Sequence, residues 1–91
     1  MIIDLYKAYY LNGIEHKKNG PAWISYFTNG NIDIETYIKN GVRHREDGPA
    51  WIDHFMDGRI HKKLYYLNDK VYSEEDYIKQ LRILKIKKIL E

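Results

Sequence analysis

Apolar and polar residues alternate in short runs through the first 72 positions, and most runs stop at a turn-forming pair. The runs of β-formers occupy residues 6–11, 14–16, 22–27, 32–38, 42–44, 50–55, 60–67 and 71–72. Asn12-Gly13 and Asn40-Gly41 are a pair that type I′ hairpin turns favour, because both central positions need positive φ. Asn29-Gly30 and Asp57-Gly58 supply a second turn. Gly20-Pro21 and Gly48-Pro49 mark a third bend, with proline fixing φ where a new strand begins. The pattern predicts an antiparallel meander of about eight short strands.

The period changes after residue 72. Ser73, followed by Glu74, Glu75 and Asp76, reads as an N-cap with acids in the first helical turn, where the helix dipole favours them. Tyr77, Ile78, Leu81 and Leu84 fall on one arc of that helix and are expected to dock on the sheet. Ile83, Ile86, Ile89 and Leu90 fall on a roughly opposite arc and form a candidate homodimer face. The expected fold class is mainly β with a C-terminal helix: a β-hairpin repeat meander capped by one α-helix.

The meander is internally repeated. Residues 9–36 align with 37–64 without a gap, and twelve of 28 positions are identical. Tyr9, Asn12, Gly13, His16, Gly20, Pro21, Ala22, Trp23, Ile24, Phe27, Gly30 and Ile32 return 28 residues later, from Tyr37 to Ile60. A partial third copy, 65–72, opens with Tyr65-Tyr66-Leu67-Asn68, but Asp69 takes its glycine position. The organisation is therefore hairpin repeats over 1–72 and a basic amphipathic helix over 73–91.

At Gly41-Val42-Arg43-His44-Arg45-Glu46-Asp47-Gly48-Pro49-Ala50-Trp51-Ile52 the sequence resembles the variant MORN repeats of bacteria, bacteriophages and giant DNA viruses. Gly13 to Ile24 matches with Lys17 for arginine and Asn19 for aspartate. The resemblance covers residues 9–72 and makes the helix a C-terminal cap. It implies a single-layer or gently rolled sheet of hairpins and no reaction. Related small proteins are called antitoxins, which gives the expectation of a phage or mobile-element inhibitor of a host defence protein, or an antitoxin-like partner. The Tyr-x-Gly-x-Trp core of better-known MORN repeats is missing, so their lipid binding is not carried over.

Composition narrows the chemistry. With no cysteine, a disulfide framework, an iron–sulfur cluster, a thiolate zinc site and a cysteine nucleophile are excluded. No apolar run reaches the ~18 residues of a membrane span. Met1–Lys7 lacks the basic-then-apolar pattern of a leader, so the expected location is the cytoplasm, that of the host cell for a phage or viral protein. Charge is uneven: residues 1–78 carry ten Lys+Arg against twelve Asp+Glu, while 79–91 carry five against one. The body is slightly acidic and the tail basic.

Three sets of residues are candidates for binding. Strand alternation places Trp23 and Phe27, and likewise Trp51 and Phe55, on one face, with Tyr37 and Tyr65 nearby. On an open sheet these aromatics form a protein-binding patch; on a curled sheet they fill its concave core. Arg82, Lys85, Lys87 and Lys88 could meet nucleic acid, a nucleotide or an acidic partner together with the aromatic face. His16 and His44, 28 residues apart, supply too few converging ligands for a metal and read as bonded to backbone in the turns. No nucleophile elbow, phosphate loop or zinc-protease helix is present, and Asp47 and Asp57 replace asparagines of the other copy at turn positions. The expectation is a non-enzymatic module without catalytic residues, metal or cofactor, whose partner is a protein, with nucleic acid or a homodimer as alternatives.

Overall fold

The computed structural model describes residues 5–91; residues 1–4, part of the stretch read for a leader, lie outside the described residues. Among the described residues ten strands precede one helix: β1 Tyr6–Ala8, β2 Tyr10–Leu11, β3 Ile14–Glu15, β4 Trp23–Tyr26, β5 Ile32–Thr36, β6 Ile38–Lys39, β7 Val42–Arg43, β8 Trp51–His54, β9 Ile60–Leu67 and β10 Lys70–Tyr72, then α1 Glu74–Leu90. The fold is mainly β with one C-terminal helix. The expected runs 6–11 and 32–38 are each divided in two, whereas β9 runs unbroken over its expected residues.

Six strands form one antiparallel sheet in the order β1-β4-β5-β8-β9-β10. Two smaller hairpins, β2-β3 and β6-β7, bend away from it. The bends fall at Tyr9 and Tyr37, whose backbone N–H groups donate to the carbonyls of Ala22 (2.8 Å) and Ala50 (2.7 Å). Those alanines donate in turn to Thr36 and Leu64. Both are wholly buried where the chain crosses from one hairpin to the next, and a larger side chain there would meet packed backbone.

The hairpin tips carry the turn geometry read from the sequence. Asn12 (φ 53°) and Gly13 (φ 79°) are left-handed, as are Asn40 (52°) and Gly41 (81°). Asn68 (49°) and Asp69 (70°) adopt the same pair of conformations, so the third copy completes its hairpin without a glycine. The Asp69 carboxylate accepts the backbone N–H of Arg43 at 3.2 Å, which offsets part of the cost of a left-handed non-glycine residue.

Successive tips stack. Lys17 N–H donates to the Ile38 carbonyl, and Gly41 N–H to that of Glu15; Arg45 to Tyr66 and Asp69 to Arg43 repeat the same bonds one unit on. The molecule measures 54 × 32 × 17 Å, so it is a thin slab. Its core is correspondingly small: Ala22, Ala50, Ile52, Leu67 and Tyr77, with Thr36. No large side chain among the described residues is fully buried.

The helix starts as its sequence implies. Ser73 is the N-cap, its hydroxyl accepting the Asp76 N–H at 3.2 Å, and Lys87 and Lys88 lie in the last turn. Tyr77 is buried and Leu81 and Leu84 half-buried, but Ile78 stays exposed. The docking arc is narrower than expected because α1 packs on β9, β10 and loop 45–48 rather than across a whole sheet face.

Stacking separates the two equivalent turn glycines. A Cβ on Gly41 would stand 2.9 Å from the Ile14 Cγ2 of the preceding tip, whereas one on Gly13 meets nothing within 4 Å. In urea denaturation, Gly13→Ala is expected to lose about 1 kcal/mol, from backbone strain alone. Gly41→Ala is expected to lose clearly more. Equal losses would mean that the tips do not pack.

Candidate binding surface

Each unit fastens the next through a histidine. The Nδ1 of His16 accepts the backbone N–H of Asn40 at 3.0 Å, and the Nδ1 of His44 accepts that of Asn68 at 2.9 Å. Both histidines thus bond turn backbone, in the following unit rather than their own. An Nδ1 that accepts leaves the ring proton on Nε2. His44 Nε2–H donates to Glu46 at 2.9 Å.

A second repeated contact sits beside the histidines. Lys17 places its ammonium 3.7 Å from the ring centre of Tyr9, and Arg45 its guanidinium 3.9 Å from that of Tyr37. At the third equivalent ring, Tyr65, no cation follows, because Ser73 occupies that position. Tyr77 of α1 takes its place, with ring centres 4.8 Å apart. The Tyr77 hydroxyl lies within donating reach of the carbonyls of Arg45 and Gly48, and it accepts the Gly48 N–H at 3.2 Å. Burial pushes the Tyr77 phenol above its ordinary value of 10.0, so the hydroxyl remains a donor in neutral water. Farther along α1, Lys88 donates to Glu46 at 2.7 Å.

Two of the clefts beside these contacts hold residues singled out in the sequence. The larger, of about 540 Å³, lies between loop 16–20 and loop 44–47 and has Tyr37 in its wall. The smaller, of about 340 Å³, is an open depression on the sheet. Strand register puts Trp23, Thr36 and Trp51 side by side on its floor, and Glu15, Arg43 and Asp69 line it.

The six aromatics read as one patch are distributed over three places. Trp23 and Trp51 are half-buried in the depression. Phe27 and Phe55 lie at the four-residue turns, where Phe55 packs on His61 with ring centres 4.5 Å apart. Tyr37 and Tyr65 lie beneath Arg45 and Tyr77. Of the basic residues, Arg82, Lys85 and Lys88 fall within about 120° around the helix at 100° per residue and Lys87 stands apart from them; Lys88 is engaged by Glu46. Ile83, Ile86, Ile89 and Leu90 do share an exposed face.

The Tyr77 contact had no sequence motif to announce it. Its signal was indirect: a tyrosine four residues past the N-cap, at the point where the repeat loses its cation. Among the described residues no group of three or more histidines and carboxylates could hold a metal ion. No helix there is long and apolar enough to cross a membrane. Comparison of the chain with protein-family models, curated proteins and solved structures returns no match.

Two measurements examine this arrangement. Tyr77→Phe leaves the Gly48 N–H and the loop carbonyls without their partner and is expected to cost about 1–3 kcal/mol in urea melts. Ile89→Ala, on the exposed face, should fall within about 0.5 kcal/mol of the parent chain. Glu46 is held down from 4.5 to about 2, first by its hydrogen bond from His44 and then by that from Lys88. A depressed carboxylate stabilises the fold above its unfolded value, and that share is lost as pH falls from about 4.5 through 2. The stability difference between the parent chain and Glu46→Gln should therefore be full above pH 5 and shrink toward zero near pH 2. A difference constant across that range would remove the assigned role.

Proposed function

We propose that this chain is a small non-enzymatic protein-binding module that acts by covering a surface of its partner. The observation that carries the reading is the outer face of α1. Ile83, Ile86, Ile89 and Leu90 are 45–80 % exposed there, on a slab that buries few side chains of its own. At the other end, Tyr10, Leu11 and Ile14 of the first tip are also more than half exposed. Exposed apolar side chains clustered at two ends of a thin, backbone-bonded scaffold support contact with another macromolecule better than turnover of a substrate.

Occlusion needs no chemistry, and it agrees with what the variant MORN resemblance implies: an inhibitor of a host defence protein encoded by a phage or mobile element, or an antitoxin-like partner. With Lys88 paired to Glu46 and Lys87 apart from Arg82 and Lys85, the helix gives less support to a nucleic-acid partner than to a protein.

The test is affinity capture from nuclease-treated extract of the cells in which the protein is native, with the parent chain, Ile86→Glu and Trp51→Ala. One protein recovered in stoichiometric amount with the parent chain and lost with Ile86→Glu is the expected result. Recovery of nucleic acid alone from untreated extract, of only a second copy of the chain, or turnover of a substrate by the purified protein would contradict the proposal.

A further inference from the structure

The cleft between loops 16–20 and 44–47 stands one repeat away from the socket that Tyr77 fills. Subtracting 28 from the residues that hold Tyr77, namely Arg45, Gly48 and Tyr65, gives Lys17, Gly20 and Tyr37. All three line the cleft. In the last unit the chain fills the socket itself, because α1 begins there. In the preceding unit Arg45 covers the Tyr37 ring, held by Asp47 and the Pro49 carbonyl, and the chain turns away at Pro49 into β8, so the part of the socket left open is the backbone of loop 17–20.

We propose that this cleft is a docking site for an α-helix of a partner protein, a helix that presents a tyrosine to loop 17–20 as α1 presents Tyr77 to loop 45–48. The inference rests on the reading of the chain as a protein-binding module and specifies the partner's chemistry. Three observations define the occupant.

The first is spacing. One repeat adds two strands, so equivalent sites are roughly 9–10 Å apart. That is the interaxial distance of packed helices, ~8–10 Å. A helix docked one repeat before α1 would lie beside it in packing contact.

The second is the apolar seam. Leu84 of α1 lines one cleft together with Val42 and His44. One repeat earlier the corresponding positions are Ile14 and His16, and Ile14 is 52 % exposed. The occupant needs an apolar residue seven positions after its tyrosine, as Leu84 follows Tyr77.

The third is charge. Lys88 of α1 meets Glu46, but the position equivalent to Glu46 is Lys18. The cleft is lined by Lys17, Lys18, Lys39 and Arg45 against Glu46 and Asp47. An occupant should therefore carry a carboxylate eleven residues after its tyrosine. A second copy of α1 is the wrong occupant, since its Lys88 would face Lys18. Arg45 over the Tyr37 ring adds a cationic wall that favours an aromatic face or a carboxylate.

The probe is a peptide of residues 73–91 carrying Lys88→Glu, held helical by a lactam between Glu75 and Lys79, whose side chains already pair across one turn. It is titrated into the isotope-labelled full chain and followed by NMR. The expected result is saturable binding with shifts centred on Lys17, Gly20 and Tyr37. Affinity should fall roughly tenfold or more when the peptide's tyrosine becomes alanine. Lys18→Glu in the protein should weaken the Lys88→Glu peptide and restore binding of the unmodified one. Absence of saturable binding by the helical peptide overturns the proposal, as do shifts confined to loop 45–48 or an affinity indifferent to the charge exchange. A single-stranded oligonucleotide that occupies the cleft in place of the peptide overturns it as well. Any of these outcomes leaves partner capture by the outer face of α1 to be judged on its own result.

Discussion

A hairpin tip two residues long on each strand cannot hold itself together in water, because it closes too few hydrogen bonds to offset the ordering of its backbone. The protein resolves this by translation. At each junction two backbone bonds and one histidine join a tip to the next: Lys17 to Ile38, Gly41 to Glu15 and Asn40 to the His16 ring, then Arg45 to Tyr66, Asp69 to Arg43 and Asn68 to the His44 ring. The main sheet has its own strand ladders, but the stacking of the tips beside it and the clefts between their loops follow from these two sets of bonds. With so little apolar volume enclosed, satisfaction of polar backbone carries an unusual share of what keeps the slab in one shape.

Such a stack has two ends, and they are treated differently. At the last unit the chain supplies its own cover, since Tyr77 replaces the cation that earlier units set over their tyrosine, and its hydroxyl completes the loop ahead of it. Terminal units of repeat arrays need such a cap because they have no neighbour to bury their open face. At the first unit Tyr10, Leu11 and Ile14 remain exposed among the described residues.

Much of the fold was legible because turns constrain sequence sharply. Asn-Gly at the tips, Gly-Pro at the crossings and the Ser73 cap each admit few residues, so strand ends and the helix start could be placed from them. The unbroken β9 was legible, but the division of the runs at Tyr9 and Tyr37 was not. The bend there depends on Ala22 and Ala50 accepting bonds from across the fold, and no local pattern encodes that. Asp69 in a left-handed position was likewise hidden, because its support comes from Arg43, 26 residues away. For the same reason the aromatic residues read as one patch separate into depression, turns and covered rings. Alternation assigns a face, whereas stacking of the tips decides what lies over it.

The account stands on histidine acting as the fastener between units. The direct measurement is scalar coupling across the N–H···N bonds in isotope-labelled protein near neutral pH, from the Asn40 amide to His16 Nδ1 and from the Asn68 amide to His44 Nδ1. The account predicts both couplings, with each ring proton on Nε2. Rings protonated at Nδ1, or couplings missing from both pairs in the folded chain, would contradict it.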